Sequence, residues 1–460
     1  MKNKKNLTRF FQLLTVLIFV FSIIFMGFAF LFDKKTEYSE IEKRKLVSFP
    51  KFNMKTLVSG EFTDNLTRYV SDNFVFRDSL VKLGFSLEDA RGIRVDGVKL
   101  YNDANSLQNI DAVKSIDTPL AAVRSKKKPT ATPRFGEEVK MAVNLEDLIE
   151  NTEEYEDLTQ EDIKGEKRGA LFILGNTALE IFYGNEKVSQ DYVNIINAYK
   201  TSVGNDVRVF NLLIPTHFEF GLPKKYKEEV GRPQKPFIDN IYASLDPSVI
   251  KVDAYSELSK AFKKKEYLYF RTDHHWTSLG AYKAYTAFAK SAGFTPTPLS
   301  DFEHKKLDKF LGTFYSSTYD KNLASNPDYV EYFKPNTSYT VTNYRENGVD
   351  TYTGTLLYEA IKSTSSGYLV FMGGDIPLSV IETQNTTGRS ILIFKESYGN
   401  AFVPFLVGNY DKIYVADIRT FPFNAIDYVK DNSITDVLFI NSILTACTPP
   451  RIQNYLDLLS

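Results

Sequence analysis

The stretch Arg271-Thr-Asp-His-His-Trp-Thr277 holds two of the four histidines and the only tryptophan of a 460-residue chain. If this segment is extended, its side chains alternate, so Asp273 and His275 share one side and His274 faces the other. A carboxylate in that position can accept a hydrogen bond from Nδ1 of His275. Nε2 is then free to act as a general base towards a hydroxyl nucleophile. The pattern therefore predicts a serine partner elsewhere in the chain.

The best candidate for that partner is Ser397, which follows the apolar run Ile391–Phe394. The run predicts a buried strand, and the residues after the turn can form a helix. A serine at such a turn projects its hydroxyl at the edge of the sheet. The free N–H groups of a helix N-terminus there can stabilise an oxyanion. Gly399, two residues further on, permits a close approach of the chain.

From residue 169 onwards, apolar strand candidates alternate with helical stretches. This alternation predicts an α/β fold with a mostly parallel sheet and helices on both faces. The strand candidates are Ala170–Leu174, Val207–Leu213, Ile250–Val252, Ile391–Phe394, Ile413–Ala416 and Val437–Ile440. The helical stretches include Tyr192–Ser202, Ser278–Ala292 and Asn424–Lys430. Residues 300–388 interrupt the alternation and are interpreted as an insertion, either a lid or a β-rich substrate-binding element.

Ligands of parallel sheets bind beyond the carboxyl ends of the strands. His217 and Arg419 follow two of the predicted strands directly, and Asp375 lies in a glycine-rich turn. Trp276 offers an aromatic face for a sugar, although packing against the next helix is an equal alternative. These four residues are the candidate substrate contacts: Trp276, His217, Asp375 and Arg419.

The N-terminus determines the expected compartment. Residues Phe10 to Phe32 carry no charge, and a helix of this length spans a hydrocarbon core of about 30 Å. Lys2, Lys4, Lys5 and Arg9 precede it, which predicts a cytoplasmic N-terminus and an extracytoplasmic body. A cleaved signal peptide is the alternative, with residues 27–29 as the small-residue site. We therefore expect a single-pass anchor at the cell membrane within residues 1–35.

The rest of the composition sets limits on the function. The net charge is −1, which gives no field for nucleic acid, and Cys447 is the only cysteine, so no internal disulfide or cysteine metal site can form. Residues 36–102 show helical spacing and are interpreted as a membrane-proximal segment. Residues 103–168 are densely charged and poor in aromatics, which favours a linker or insertion. Residues 169–460 are the predicted catalytic domain.

Two motifs of this chain resemble those of a known protein family. The run Asp273-His-His-Trp276, with Phe394-Lys-Glu-Ser-Tyr398 downstream, resembles the DHHW family, which is related to the alginate O-acetylation proteins of the SGNH hydrolase-like group. Residues 39–50 and 310–315 match as well. The resemblance implies an SGNH hydrolase-like (flavodoxin-like) sheet and a triad of Ser397, His275 and Asp273. Relatives commonly have Lys-Asp-Ser where this chain has Lys-Glu-Ser.

The expected function is an O-acetyltransferase or acetylesterase that acts on an envelope or secreted polysaccharide through an acyl-enzyme. No coenzyme A pool exists outside the membrane, so a membrane-bound O-acyltransferase is the expected partner of a transferase, and no cofactor is expected. Two alternatives remain open. One is a non-catalytic polysaccharide-binding or scaffold protein, and the other is a metal-dependent phosphoesterase. No metal site is predicted, because the chain has only two further histidines for a histidine-rich zinc site and no convincing set of upstream Asp-x-Asp carboxylates for a phosphoesterase.

Overall fold

The computed structural model describes residues 61–74, 165–168, 171–222, 230–361 and 364–459, together with residue 227 and scattered positions between residues 14 and 57. Two compact units are present, Met1–Val95 with Ser316–Tyr319, and Asp96–Tyr315 with Asp320–Ser460. The predicted linker 103–168 lies outside the described residues except for its last four positions. The domain boundaries expected from the sequence remain predictions.

In the first unit, the described helix α1 (Glu61–Asp72) contains the helically spaced residues Phe62, Leu66 and Tyr69. The ring of Phe49 packs edge-on against Tyr69, with 5.2 Å between the centroids. Short strands β1 (Tyr38–Ser39) and β2 (Arg44–Lys45) pair antiparallel. Most of the apolar stretch from residue 10 to residue 32 lies outside the described residues. Among the helices that the structure describes, none has both the length and the apolar character needed to cross a membrane.

The second unit is built on a sheet of eight strands. Five parallel strands in the order β14-β13-β15-β6-β7 form one half, and β12, β10 and β11 extend it antiparallel from β14. The eight strands are β6 (Arg208–Ile214), β7 (Val249–Lys251), β10 (Tyr339–Tyr344), β11 (Thr351–Thr353), β12 (Leu378–Thr383), β13 (Ser390–Lys395), β14 (Lys412–Asp417) and β15 (Asp436–Ser442). The fold is thus α/β as predicted, but the sheet is mixed, because the insertion supplies the antiparallel strands.

One predicted strand lies elsewhere. Of the predicted strand 170–174, the described residues Leu171–Leu174 form β4, which pairs antiparallel with its neighbours in a separate three-stranded sheet. A further hairpin comes from the insertion. The strands of these two small sheets are β3 (Gly165–Arg168), β4 (Leu171–Leu174), β5 (Thr177–Glu180), β8 (Phe302–Phe310) and β9 (Asp328–Pro335). Apolar composition alone did not distinguish a hairpin strand from a strand of the central sheet.

Both faces of the central sheet are buried, because alternate side chains of each strand enter two different cores. On β13, Ile391 and Ile393 enter one core, whereas Leu392 and Phe394 enter the other. The remaining described helices are α2 (Glu186–Val203), α3 (His217–Gly221), α4 (Lys235–Ser244), α5 (Ala254–Lys263), α6 (Ser278–Ala292), α7 (Thr313–Thr318), α8 (Lys321–Ser325), α9 (Ala425–Asp431) and α10 (Pro449–Asp457).

The ends of α6 illustrate how the sequence sets the helix boundaries. The side chain of Thr277 accepts a hydrogen bond from the Gly280 N–H at the start, and Gly293 takes the left-handed conformation at the end. This helix coincides with the predicted Ser278–Ala292. Its cap, Thr277, is the last residue of the histidine-rich stretch, so the helix anchors that stretch against the sheet.

Candidate active site

The histidine-rich stretch forms the tip of a tight loop rather than an extended segment. Tyr269 and Trp276 pair across it, and residues 271–275 are a succession of bends. The Asp273 carboxylate folds the loop back, because its Oδ1 accepts the N–H of His275 at 3.0 Å. The expectation of strand-like alternation was therefore wrong, although Asp273 and His275 do contact each other.

A second carboxylate fixes the loop from its other side. Asp328 Oδ2 accepts hydrogen bonds from the N–H groups of Arg271 (3.0 Å) and Thr272 (2.8 Å). Its Oδ1 accepts from the Arg271 side chain at 2.9 Å and from the Tyr267 hydroxyl at 2.5 Å. Asp328 begins β9, in the insertion, so no local pattern in the sequence indicated this role. The loop is held rigidly because both of its sides are bonded to buried carboxylates.

The loop brings the three predicted triad residues into one hydrogen-bonded chain. His275 Nδ1 lies 2.6 Å from Asp273 Oδ1, and His275 Nε2 lies 2.7 Å from Ser397 Oγ. Asp273 and His275 are buried, whereas Ser397 is partly exposed. Since a carboxylate can only accept, Nδ1 carries the proton and Nε2 is left to accept the Ser397 hydroxyl proton. This geometry suits a general base and a hydroxyl nucleophile.

The second oxygen of Asp273 is bonded to Thr313. The Thr313 N–H and hydroxyl donate to Oδ2 at 2.8 and 3.0 Å. A Cβ on the preceding Gly312 would overlap the Asp273 side chain, so only glycine permits this approach. Burial raises the pKa of Asp273, but the His275 and His274 rings and these hydrogen bonds hold it well below its usual value. The carboxylate is therefore ionised at neutral pH and in mild acid.

His274 lies beside His275 and not on the opposite side of the chain. Their ring centroids are 3.7 Å apart, and His274 Nδ1 lies 2.7 Å from the Thr313 hydroxyl oxygen. Because that hydroxyl donates to Asp273, His274 Nδ1–H is the donor to Thr313. Burial and the neighbouring His275 lower the pKa of His274. His274 is thus a neutral ring that supports Thr313.

Ser397 follows β13, as predicted, but the element after it is a single 3-10 turn, Ser397–Ala401, instead of an α-helix. Its capping residue is Glu396, whose carboxylate accepts the Tyr398 N–H at 3.1 Å. Gly399 approaches the Lys395 side chain so closely that a Cβ would lie 2.6 Å from Lys395 Cβ. The sequence predicted the turn and its glycine, but it did not predict that Glu396 accepts the hydrogen bond of the Tyr398 N–H.

Two of the candidate substrate contacts, Asp375 and Arg419, belong to an ion network behind the turn. Buried Lys395 donates to Asp375 at 2.9 Å and to Asp417 at 3.1 Å. Arg419 pairs with the same two carboxylates, at 2.5 and 2.6 Å. Burial lowers the pKa of Lys395, but the two carboxylates outweigh it and raise that pKa overall. Any contact of Asp375 or Arg419 with substrate remains a prediction.

The other two candidates do not reach the triad serine. Trp276 is fully buried and donates its indole N–H to the Tyr398 carbonyl at 2.9 Å. The prediction of a sugar contact is therefore wrong for Trp276, whose role is to tie the loop to the serine turn. The ring of His217 stacks on Tyr269 with 5.2 Å between the centroids, and its Nδ1 lies 3.2 Å from the Phe270 carbonyl oxygen.

Tyr368 is a site residue that sequence reasoning missed. It lies in a 3-10 segment of the insertion, Thr364–Val370, and its hydroxyl donates to the Ser397 carbonyl at 2.9 Å. Its ring is stacked on His275. No spacing rule connects this tyrosine with residues before and after the insertion, so only the tertiary structure identifies it.

The site also has ligand atoms at metal-binding spacing. One atom each of Asp273, His274 and His275 lie within 4.8 Å of one another. Both nitrogens of His275 and both oxygens of Asp273 are engaged by protein hydrogen bonds, however. A metal bound to His275 would have to break the contact of its ring with either Asp273 or Ser397. The donor set therefore suits proton transfer better than metal coordination.

Together, the fold and the site define a serine-hydrolase-like α/β protein with an aspartate, histidine and serine chain at the carboxyl edge of its sheet. Residues 42–416 match the family model described as DHHW protein. The chain belongs to the DHHW family. No curated protein sequence matches the chain significantly.

Solved structures share the fold. A DHHW family protein from Eubacterium siraeum is 34% identical, with 64% of this chain and 97% of that chain covered and a TM-score of 0.60. Bacillus cereus PatB1, solved with a sulfonyl adduct, is 20% identical, with 63% and 99% covered and a TM-score of 0.50. The O-acetyltransferase domain of Pseudomonas putida AlgJ is 15% identical, with 64% and 98% covered and a TM-score of 0.36, too low to support a functional argument.

Proposed function

We propose that this protein is an O-acetyltransferase or acetylesterase that works through an acyl-enzyme on Ser397. The observation that carries the proposal is the continuous hydrogen-bonded chain from Asp273 through His275 to Ser397, with links of 2.6 and 2.7 Å. The charge of Asp273 and the exposure of Ser397 fit their proposed roles. Asp273 is an ionised acceptor that fixes the imidazole tautomer, and Ser397 is the partly exposed member that a substrate can reach.

The reaction follows from these atoms. His275 Nε2 takes the Ser397 proton while Oγ forms a bond to the acyl carbon, and His275 then returns the proton to the leaving sugar oxygen. An acceptor hydroxyl next loses its proton to Nε2, attacks the acyl carbon and releases Oγ, which regains the proton. Water as acceptor gives an esterase and a sugar hydroxyl gives a transferase. The same three residues, Asp273, His275 and Ser397, serve both reactions.

The proposal extends to substrate class and location. The uncharged stretch from residue 10 to residue 32, preceded by basic residues, supports an anchor with the catalytic unit outside the cytoplasm. The acceptor there is an envelope or secreted polysaccharide. The acetyl group comes from a membrane-bound O-acyltransferase or from an already acetylated polymer, because coenzyme A is confined to the cytoplasm.

The direct test is to incubate the purified protein with a chromogenic acetyl ester, with and without oligosaccharide acceptors. We expect ester cleavage and one acetyl adduct in the intact mass of the wild type. Ser397→Ala should show neither, while Ser300→Ala, at an exposed serine, should behave as wild type. An adduct that persists on Ser397→Ala contradicts the proposed nucleophile. Polymer binding by a protein that never forms an adduct would instead support the scaffold function.

A further inference from the structure

The side chain of Glu396 folds back over the proposed nucleophile. Its Oε1 accepts the Ser442 N–H at 2.9 Å, which anchors the carboxylate to the end of β15. Its Oε2 accepts the Tyr398 N–H at 3.1 Å and lies 3.2 Å from Ser397 Oγ. Glu396 is only 8% exposed, so its side chain is buried at the turn.

Oε2 of Glu396 occupies the position that the carbonyl oxygen of an ester substrate needs. When a serine attacks, the carbonyl oxygen must lie about 3 Å from both the nucleophile and a hydrogen-bond donor. At a strand-to-helix turn, the N–H of the residue after the nucleophile is one such donor. Here that group is the Tyr398 N–H, and Glu396 Oε2 is its acceptor. A carboxylate oxygen thus stands where the substrate carbonyl oxygen would lie.

The same contact affects the proton of the nucleophile. A serine hydroxyl has one hydrogen, and Ser397 has two acceptors within reach, His275 Nε2 and Glu396 Oε2. A proton given to Glu396 is withheld from the general base. A negative charge beside Oγ also opposes the negative charge that develops on the acyl oxygen. In this arrangement the nucleophile is assembled but blocked.

We propose that Glu396 occupies the carbonyl-oxygen position in the resting protein and that an acyl substrate displaces it. Displacement exposes the Tyr398 N–H and leaves His275 as the sole acceptor for the Ser397 proton. The inference rests on the proposed acyl transfer at Ser397 and identifies the step that precedes it.

A displaced carboxylate has a cation to approach. Arg451 is the third residue of α10. Burial and the neighbouring Arg419 lower the pKa of Arg451, whereas the Glu396 carboxylate raises it. The charges of Glu396 and Arg451 therefore already interact in the resting arrangement.

The inference is tested by whether replacement of Glu396 speeds or slows the covalent labelling of Ser397. Phenylmethylsulfonyl fluoride labels a nucleophilic serine: the Oγ–S bond forms, the S–F bond breaks, fluoride leaves and His275 takes the proton. A residue that only caps the turn should slow labelling when removed. We expect Glu396→Ala to be labelled roughly tenfold faster than wild type or more, since one oxyanion donor is worth about 10²–10³ in rate. Glu396→Gln, a neutral and weaker acceptor, should give a smaller gain.

Labelling rates are followed by intact mass, with thermal melting as the control for folding and Ser397→Ala as the unlabelled reference. If the wild type is labelled at Ser397 and folded Glu396→Ala is labelled at the same rate or more slowly, the inference about Glu396 is overturned and the proposed function is not. If Glu396→Ala does not fold, Glu396→Gln decides by the same criterion. Folded wild type and variants that all stay unlabelled overturn the proposed function as well. A crystal structure of the adduct with Glu396 still bonded to the Tyr398 N–H also contradicts displacement.

Discussion

The ring of Tyr368 lies flat on the imidazole of His275, with 3.7 Å between the centroids and 7° between the planes. The hydroxyl of the same tyrosine donates to the Ser397 carbonyl at 2.9 Å. Burial raises the pKa of Tyr368 well above its usual value, so the hydroxyl remains a donor. One side chain of the insertion therefore holds both the proposed base and the backbone of the proposed nucleophile.

Two substitutions separate these roles of Tyr368. Tyr368→Phe keeps the stacked ring and loses one hydrogen bond, so we expect kcat for a chromogenic ester to fall about tenfold or less. Tyr368→Leu also loses the stack and should lower kcat about tenfold further, because the imidazole is no longer fixed in the orientation for attack. Equal losses in both variants would show that the stack does not position His275.

The ionised carboxylate of Asp273 predicts a large difference between neighbouring residues. Asp273→Asn should lower kcat by up to about ten-thousand-fold, because an asparagine favours the wrong tautomer of His275. His274→Ala removes only a neutral ring that supports Thr313 and should cost far less. Steady-state ester kinetics on folded variants measure both. A larger loss in His274→Ala would show that the wrong histidine was assigned as base.

Thr313 allows a finer test of the same carboxylate. Thr313→Val keeps the shape of the side chain but removes the hydroxyl that joins Asp273 and His274. We expect a loss of about 1 kcal/mol in transition-state stabilisation, which is about fivefold in kcat/KM. Thr313→Ser restores the hydroxyl and should stay near wild type. Unchanged kinetics in the valine variant would mean that the backbone N–H of residue 313 alone holds Asp273.

Part of this site could be predicted because its chemistry is local in sequence. Asp273 and His275 are two residues apart, and Ser397 stands at the end of an apolar strand, so spacing and strand pattern, together with the family resemblance, named the three residues that the structure joins by hydrogen bonds. The residues that sequence reasoning missed, Asp328 and Tyr368, come from the insertion and act through long-range contacts that no periodicity encodes. For this reason the three hydrogen-bonded residues were named from the sequence, and the groups that hold them in place were not.

The fold was predictable to the same extent. Continuous apolar runs identified the parallel strands, such as Ile391–Phe394, because strands buried on both faces need apolar residues throughout. The antiparallel strands escaped prediction. Strand β10 (Tyr339–Tyr344) is rich in threonine and tyrosine, and its partner β11 is exposed. The error on Ala170–Leu174 arose for the converse reason, since a short apolar run fits a hairpin equally well.

The ion network behind the turn predicts a contrast between two lysines. Lys395→Met leaves Asp375 and Asp417 without their buried partner and should destabilise the protein by about 3–5 kcal/mol. Lys412→Met removes a surface pair with Glu382 and should cost less than about 1 kcal/mol. Urea unfolding of the two variants measures the difference. A similar small cost for both would show that Lys395 contributes no more than a surface lysine.

His217 predicts an acid-sensitive contribution to stability. Burial lowers the pKa of His217 to about 4, although the Phe270 carbonyl and Asp328 favour the charged ring, while Arg271 adds to the lowering. In the unfolded chain the pKa is about 6.5. Between these values the unfolded state binds more protons than the native state, so stability falls as the pH falls from about 6.5 towards 4.

His217→Gln cannot charge, and we expect its unfolding midpoint in urea to fall less than that of wild type between pH 7 and pH 5. Some slope should remain, because burial lowers the pKa of His274 as well. His304→Gln, at a histidine whose side chain is 54% exposed, is the matched control for loss of a histidine. Identical pH slopes in wild type and His217→Gln would show that His217 is hydrated enough to charge in the folded protein.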